Sequence, residues 1–172
     1  MLKTAKVLVL AGAAATMIAA SALPAGAAPA ADVTASAYNN VRLEKVWGPT
    51  GICLSMNGKT ANNAPVVQKK CTSGSDQKWT LKGTSAGIYT IKNKKSAKCL
   101  GISATSSGTV VTQRPCNASS KTQQWYLANS KIHSKWAKKC LTEAGSTLGQ
   151  KATITACGES TAKRKAQEWG TS

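Results

Sequence analysis

The sequence predicts an all-β domain built from three pseudo-symmetric units, and three observations carry that prediction. Cysteines recur in three evenly spaced pairs, a Gln-x-Trp tripeptide follows each pair, and the intervening segments read as short strands separated by polar turns.

Six cysteines permit fifteen pairings. Here Cys53 and Cys71 stand 18 residues apart, Cys99 and Cys116 17, and Cys140 and Cys157 17, with gaps of 28 and 24 between the pairs. That regularity selects pairing within each unit: Cys53–Cys71, Cys99–Cys116 and Cys140–Cys157. Each pair opens on the same dipeptide, Cys53-Leu54, Cys99-Leu100 and Cys140-Leu141. Each unit closes on Gln77-Lys78-Trp79, Gln123-Gln124-Trp125 or Gln167-Glu168-Trp169, whose tryptophans are 46 and 44 residues apart. A period of about 45 residues marks a repeat architecture. A propeller has units of this length but needs about four blades to close, and only three units fit. Within the units, Ile88-Tyr89-Thr90-Ile91 and Val110-Val111-Thr112 are strand-like, with Gly, Asn, Ser and Lys clusters between them. Helical periodicity is hard to find after residue 40.

The N-terminus has a different character. Lys3 and Lys6 precede an apolar run from Val7 to Leu23, Pro24 breaks it, and Ala25-Gly26-Ala27 stands before Ala28. This is the pattern of a secretory signal peptide, residues 1–27. A membrane anchor competes with it, but the run is short for a bilayer span, is mostly alanine and is interrupted by Thr16 and Ser21. Residues 28–40 are expected to form a flexible N-terminal segment and residues 41–171 the domain. No integral membrane association is expected of the mature chain, which is read as secreted.

Composition agrees with export. The chain has 172 residues, 23 Lys+Arg against 6 Asp+Glu, a formal charge of +17, and no Phe. Removing residues 1–27 takes two lysines and no acid, leaving 145 residues and a charge of +15. A small core without Phe gains from staples, and an oxidising compartment makes six cysteines three disulfides. Loops of this length add about 3 kcal/mol each in the chain-entropy estimate. One histidine, His133, and no CxxC pair argue against structural zinc. No metal or cofactor is expected. There is no GxGxxG, and Cys53 stands where a phosphate loop ending in Gly58-Lys59-Thr60 needs glycine.

Three units of about 45 residues, each with a cysteine pair and a closing Gln-x-Trp, resemble the ricin B-type lectin family. The resemblance covers Val41 to Trp169 and implies a β-trefoil. It implies that Trp79, Trp125 and Trp169 are core residues and that Gln77, Gln123 and Gln167 organise backbone at each unit's end. It also implies where sugar would bind. The family's carboxylate usually follows Cys-Leu, where this chain has Ser55, Gly101 and Thr142; its stacking aromatic lies two residues before the second cysteine, where this chain has Lys69, Arg114 and Thr155. The residue before the Gln-x-Trp glutamine is Asp76, Thr122 or Ala166. Only the first unit retains a carboxylate, so Asp76 and Gln77, with Ser55 and Lys69, are the candidate carbohydrate site. Trp47 and Trp136 stand outside the repeat and offer either a stacking surface or packing.

Charge supplies a competing reading. Lys92, Lys94, Lys95 and Lys98 precede Cys99, and Lys131, Lys135, Lys138 and Lys139 precede Cys140. A face made from them would bind an anionic polysaccharide, a wall polymer or a protein partner, with salt dependence. Specific nucleic-acid binding is not expected, since no helix-turn-helix, finger or RNA-binding motif is present. Catalysis is not expected either. Hydrolysis needs a nucleophile with its base or a carboxylate pair, and Asp32, Glu44, Asp76, Glu143, Glu159 and Glu168 include no such pair by context. Adjacent His133 and Ser134 would face opposite ways on a strand. The reading is therefore a secreted, noncatalytic, lectin-like module with glycans as partners.

Overall fold

The structure is a computed structural model and describes residues 36–172 apart from 48, 49, 86, 144 and 146. The expected signal peptide, and residues 28–35 of the expected flexible segment, lie outside the described residues. Residues 36–40 are not loose. They belong to strand β1 (Ser36–Val41), which pairs antiparallel with β5 through Tyr38↔Leu81 and Val41↔Trp79.

The remaining strands fall into three sets of four. The first unit holds β2 (Leu43–Lys45), β3 (Ile52–Ser55), β4 (Val67–Lys70) and β5 (Trp79–Ser85). The second holds β6 (Ile88–Asn93), β7 (Cys99–Gly101), β8 (Thr112–Arg114) and β9 (Trp125–Ala128). The third holds β10 (Lys131–Ser134), β11 (Lys139–Thr142), β12 (Thr153–Thr155) and β13 (Trp169–Thr171).

The last strand of each unit pairs with the first strand of the next: Trp79↔Asn93, Trp125↔Ser134 and, closing the ring, Trp169↔Lys45. Closure leaves no long unpaired barrel edge. β1 runs almost directly into β2 and extends the first unit's barrel strand. The hairpins β3–β4, β7–β8 and β11–β12 cap the barrel. At the axis the cap closes in a ring of backbone hydrogen bonds, Val66 N to Val111 O (3.0 Å), Val111 N to Ala152 O (2.9 Å) and Ala152 N to Val66 O (2.8 Å). This is the expected β-trefoil, and its three disulfides are the intra-unit ones, Cys53–Cys71, Cys99–Cys116 and Cys140–Cys157.

The repeated residues explain the repeated geometry. Trp79 and Trp125 are fully buried and Trp169 nearly so. Each indole N–H donates to the carbonyl of the leucine that follows the first cysteine: Leu54 at 3.1 Å, Leu100 at 3.2 Å and Leu141 at 3.3 Å. A large apolar body is thereby buried with its one donor satisfied. The glutamines clamp the second cysteine. Gln77 Nε2 donates to Lys70 O (2.9 Å) and its Oε1 accepts from Thr72 N (2.7 Å). Gln123 does the same with Pro115 O (2.9 Å) and Asn117 N (2.9 Å), and Gln167 with Ala156 O (2.9 Å) and Gly158 N (3.2 Å). One amide thus satisfies a backbone C=O before and a backbone N–H after each second cysteine.

The third unit departs from the pattern twice. Before β13 lies a helix, α1 (Thr161–Gln167), where the other units have single 3-10 turns, Ser75–Gln77 and Lys121–Gln123. Ser160 caps it, its hydroxyl accepting from Lys163 N at 3.4 Å. Glu143 also occupies the core position of Met56 and Ile102. All three backbone N–H groups donate to the residue before the Gln-x-Trp glutamine: Asp76, Thr122 and Ala166. Glu143 is fully buried and both carboxylate oxygens lack a partner.

Candidate functional site

In the first unit, β3 and the turn before β5 bring Ser55 and Asp76 together. Ser55 Oγ donates to Asp76 Oδ2 (2.9 Å), Gly58 N–H donates to the same oxygen (3.1 Å), and Asn57 N–H donates to Ser55 Oγ (2.9 Å). Ser55 is buried, so it holds the carboxylate and does not face a ligand. The second oxygen, Oδ1, takes no part in these bonds. It sits against Gly74, where an added Cβ would lie 2.7 Å from it, so a larger residue there would push the carboxylate from this position. Asp76 is half-buried and presents one anchored carboxylate with an uncommitted acceptor, the chemistry that takes a sugar hydroxyl. Lys95 reaches the same loop, its Nζ 3.9 Å from where a Cβ on Gly58 would be. Gln77 is buried and spent on backbone. Lys69 lies on β4 opposite Cys53 and takes no part in the Ser55–Asp76 hydrogen bonds.

The equivalent positions elsewhere are differently filled. In the second unit Arg114 passes over Gly101: a Cβ there would meet Gln123 Cγ at 3.3 Å and Arg114 Cδ at 3.6 Å. In the third unit Thr142 Oγ1 and Thr155 Oγ1 lie 2.9 Å apart, and Gln167 Nε2 donates to both (3.1 and 3.0 Å). Lys163 of α1 adds a bond to Thr155 Oγ1 at 3.2 Å. Its polar groups bond to one another, leaving little for a ligand.

The lysine clusters separate by exposure. Lys92, Lys94, Lys95, Lys135 and Lys138 are exposed, Lys98 and Lys139 half-buried. Lys131 corrects the expectation of a continuous basic run. It is buried and paired with Glu159 (2.8 Å) and Glu168 (3.6 Å), because its place on β10 turns it toward two carboxylates distant in sequence. Lys92 and Lys94 line a groove of about 690 Å³ together with Lys82, which the sequence reading did not single out.

Trp47 is 40% exposed, yet its indole N–H donates to Glu168 and the Arg164 guanidinium covers its ring at 4.5 Å. Arg164, bonded to Glu168 at 2.8 Å, holds that carboxyl below the usual carboxylate range. Trp136 packs against the core beneath Lys121, whose Nζ is 5.0 Å from the ring centroid. His133 stacks on Tyr126 (centroids 4.5 Å), and its Nδ1 lies 3.4 Å from both sulfurs of Cys140–Cys157. Those sulfurs are disulfide-bonded and offer no thiolate to a metal. Burial lowers the His133 pKa. Ser134 points the other way into the interior, where its Oγ accepts from Ala137 N at 3.2 Å.

Residues 40–169 match the family described as the ricin-type beta-trefoil lectin domain. Among curated proteins none matches the chain significantly. Among solved structures, the β-trefoil lectin of the Vibrio vulnificus hemolysin/cytolysin, with N-acetyl-D-lactosamine bound, is 22% identical at a TM-score of 0.60, over 80% of this chain and 96% of that one. The Abrus precatorius agglutinin is 23% identical at 0.63, over 81% of this chain and 51% of that one. The designed threefold-symmetric protein ThreeFoil is 22% identical at 0.63, over 76% and 96%. At these identities the likeness is one of fold.

Proposed function

The chain belongs to the ricin-type beta-trefoil lectin domain family, and from that premise we propose that it is a secreted, noncatalytic carbohydrate-binding module whose first unit holds the sugar. One observation carries the reading: Asp76 is held by Ser55 Oγ and Gly58 N–H through one oxygen, leaving the other to accept from a sugar hydroxyl. Thr122 and Ala166 supply no carboxylate in the other units. The glycan named in the Vibrio vulnificus complex supports the ligand class. Export is supported by the basic-apolar-small pattern of residues 1–27 and by three disulfides. The noncatalytic reading draws on the acids themselves: Glu143 is sealed in the core and Glu168 is committed to Arg164 and Lys131.

Calorimetric titration of neutral oligosaccharides into the disulfide-intact protein and its Asp76→Ala and Thr122→Ala variants tests this. Asp76→Ala is expected to weaken binding at least about tenfold, the loss of a charge-assisted hydrogen bond, while Thr122→Ala leaves it unchanged. Equal affinity in all three proteins would sink the assignment.

A further inference from the structure

We propose that the outer face of the β5–β6 hairpin is a second glycan site, one that takes an acidic chain of sulfated or carboxylated sugars; this deepens the carbohydrate-binding reading and rests on it. The site is the groove of about 690 Å³ lined by Lys82, Lys92 and Lys94, separate from the three family pockets.

Register builds it. Thr80 pairs with Lys92 and Lys82 with Thr90, so alternation sends Trp79, Leu81 and Ile91 inward and sets Thr80, Lys82 and Lys92 on the opposite face, where Thr90 is buried in the groove's floor. The same face continues across β7, where Cys99 lies opposite Lys92 on one side and Arg114 on the other. None of the groove's lining residues is acidic. Its three ammonium groups enter no ion pair: among the described residues every ion pair involves Lys131 or Arg164. The Cys99–Cys116 bridge, Ala97 and Ala118 add low-polarity groups beside the neutral amides of Asn40 and Asn93, and a concavity whose only charges are cationic concentrates positive potential.

The polar groups select among anions. Thr80 Oγ1 donates to Asn39 Oδ1 (2.9 Å) and Thr84 Oγ1 to Ile88 O (3.3 Å), so both hydroxyls have spent their protons and present lone pairs. They accept from sugar hydroxyls while the ammonium groups donate to sulfate or carboxylate. Lys82 and Lys92 are diagonal neighbours about 7 Å apart across the β5–β6 pair, and Lys94 follows in the turn just beyond the end of β6. Charges strung along a line suit a polysaccharide, whereas a single phosphate needs donors that converge. No aromatic side chain lines the groove to stack a base, and no large apolar one to enter a bilayer.

The test measures binding of a heparin tetrasaccharide, a neutral oligosaccharide and a short oligothymidylate at low and high salt. The proteins are wild type, the groove variant Lys82→Ser/Lys92→Ser/Lys94→Ser, and a charge-matched control, Lys135→Ser/Lys138→Ser/Lys151→Ser. The groove variant is expected to lose about tenfold in heparin affinity, the summed effect of three exposed charge contacts, and to keep its neutral-sugar binding. The control should stay within about threefold of wild type. Equal losses in the two variants, no loss in the groove variant, or oligothymidylate binding as tightly through the same lysines would each overturn the proposal. Failure of the first-unit reading is seen separately, as neutral-sugar binding that Asp76→Ala does not change.

Discussion

Replacing Glu143 with methionine, the residue at the equivalent position 56, should stabilise the protein. Glu143 is fully buried and neither carboxylate oxygen has a partner. Lys45, itself buried, directs its ammonium to the carbonyls of Glu143 (2.8 Å) and Gly145 (3.3 Å) instead of to the carboxylate. Burial pushes the Glu143 carboxyl well above the ordinary carboxylate range, and the nearby Lys45 charge only partly opposes it. Relieving an unsatisfied buried polar group is worth about 1–3 kcal/mol, and methionine adapts readily to an irregular site. The net gain is about 2 kcal/mol, or about 6 °C in Tm for a domain of this size.

The pH dependence identifies the cause. With the folded-state pKa raised, the native protein keeps a proton that the unfolded chain releases above about pH 4.3. The wild type therefore has its full stability below that pH and loses up to about 1.4 kcal/mol per pH unit as the pH rises toward the folded-state value. Urea unfolding of both proteins from pH 4 to pH 8, disulfides intact, should show the advantage of Glu143→Met growing with pH. A variant less stable than wild type at neutral pH, or a difference independent of pH, would refute the reasoning.

Two further substitutions probe the scaffold. Gln123→Leu leaves Asn117 N–H and Pro115 C=O without their partner and should cost about 2 kcal/mol in urea unfolding. Glu168→Gln weakens the hold on Arg164, Lys131 and the Trp47 indole, so it should destabilise the protein at pH 6 and change tryptophan fluorescence. The Glu168 pKa is lowered, chiefly by the Arg164 hydrogen bond, so its contribution is lost as the pH falls through that depressed value. Acid titration by circular dichroism should show the two proteins converging at low pH.

What the sequence revealed was whatever recurs. Three cysteine pairs and three Gln-x-Trp tripeptides report the units and the disulfides, because one covalent and hydrogen-bonding problem is solved alike each time. Single events escaped it. Lys131 reads as one of a basic run, since the carboxylates that bury it lie 28 and 37 residues further on. Glu143 reads as one of six scattered acids until the geometry places it with Met56 and Ile102. β1 carries no periodic signal and is ordered by pairing with β5. Helix α1 had a local sign, Ser160 before the helix formers Ala162, Lys163, Arg164 and Lys165, that the strand-dominated pattern masked. At the candidate site, Asp76 and Ser55 were legible. Gly58 N–H and Gly74 were not, because glycines are common in turns and only the fold shows which of them approach the Asp76 carboxylate.

In the proposed function the first unit grips neutral sugar by hydrogen bonding to Asp76. Glycan-array binding of the disulfide-intact protein, with neutral and anionic glycans at low and at high salt, tests that grip. Retention of neutral-glycan binding at high salt is the predicted result, since short hydrogen bonds to an anchored carboxylate are little screened. Binding confined to anionic glycans and abolished by salt would contradict it.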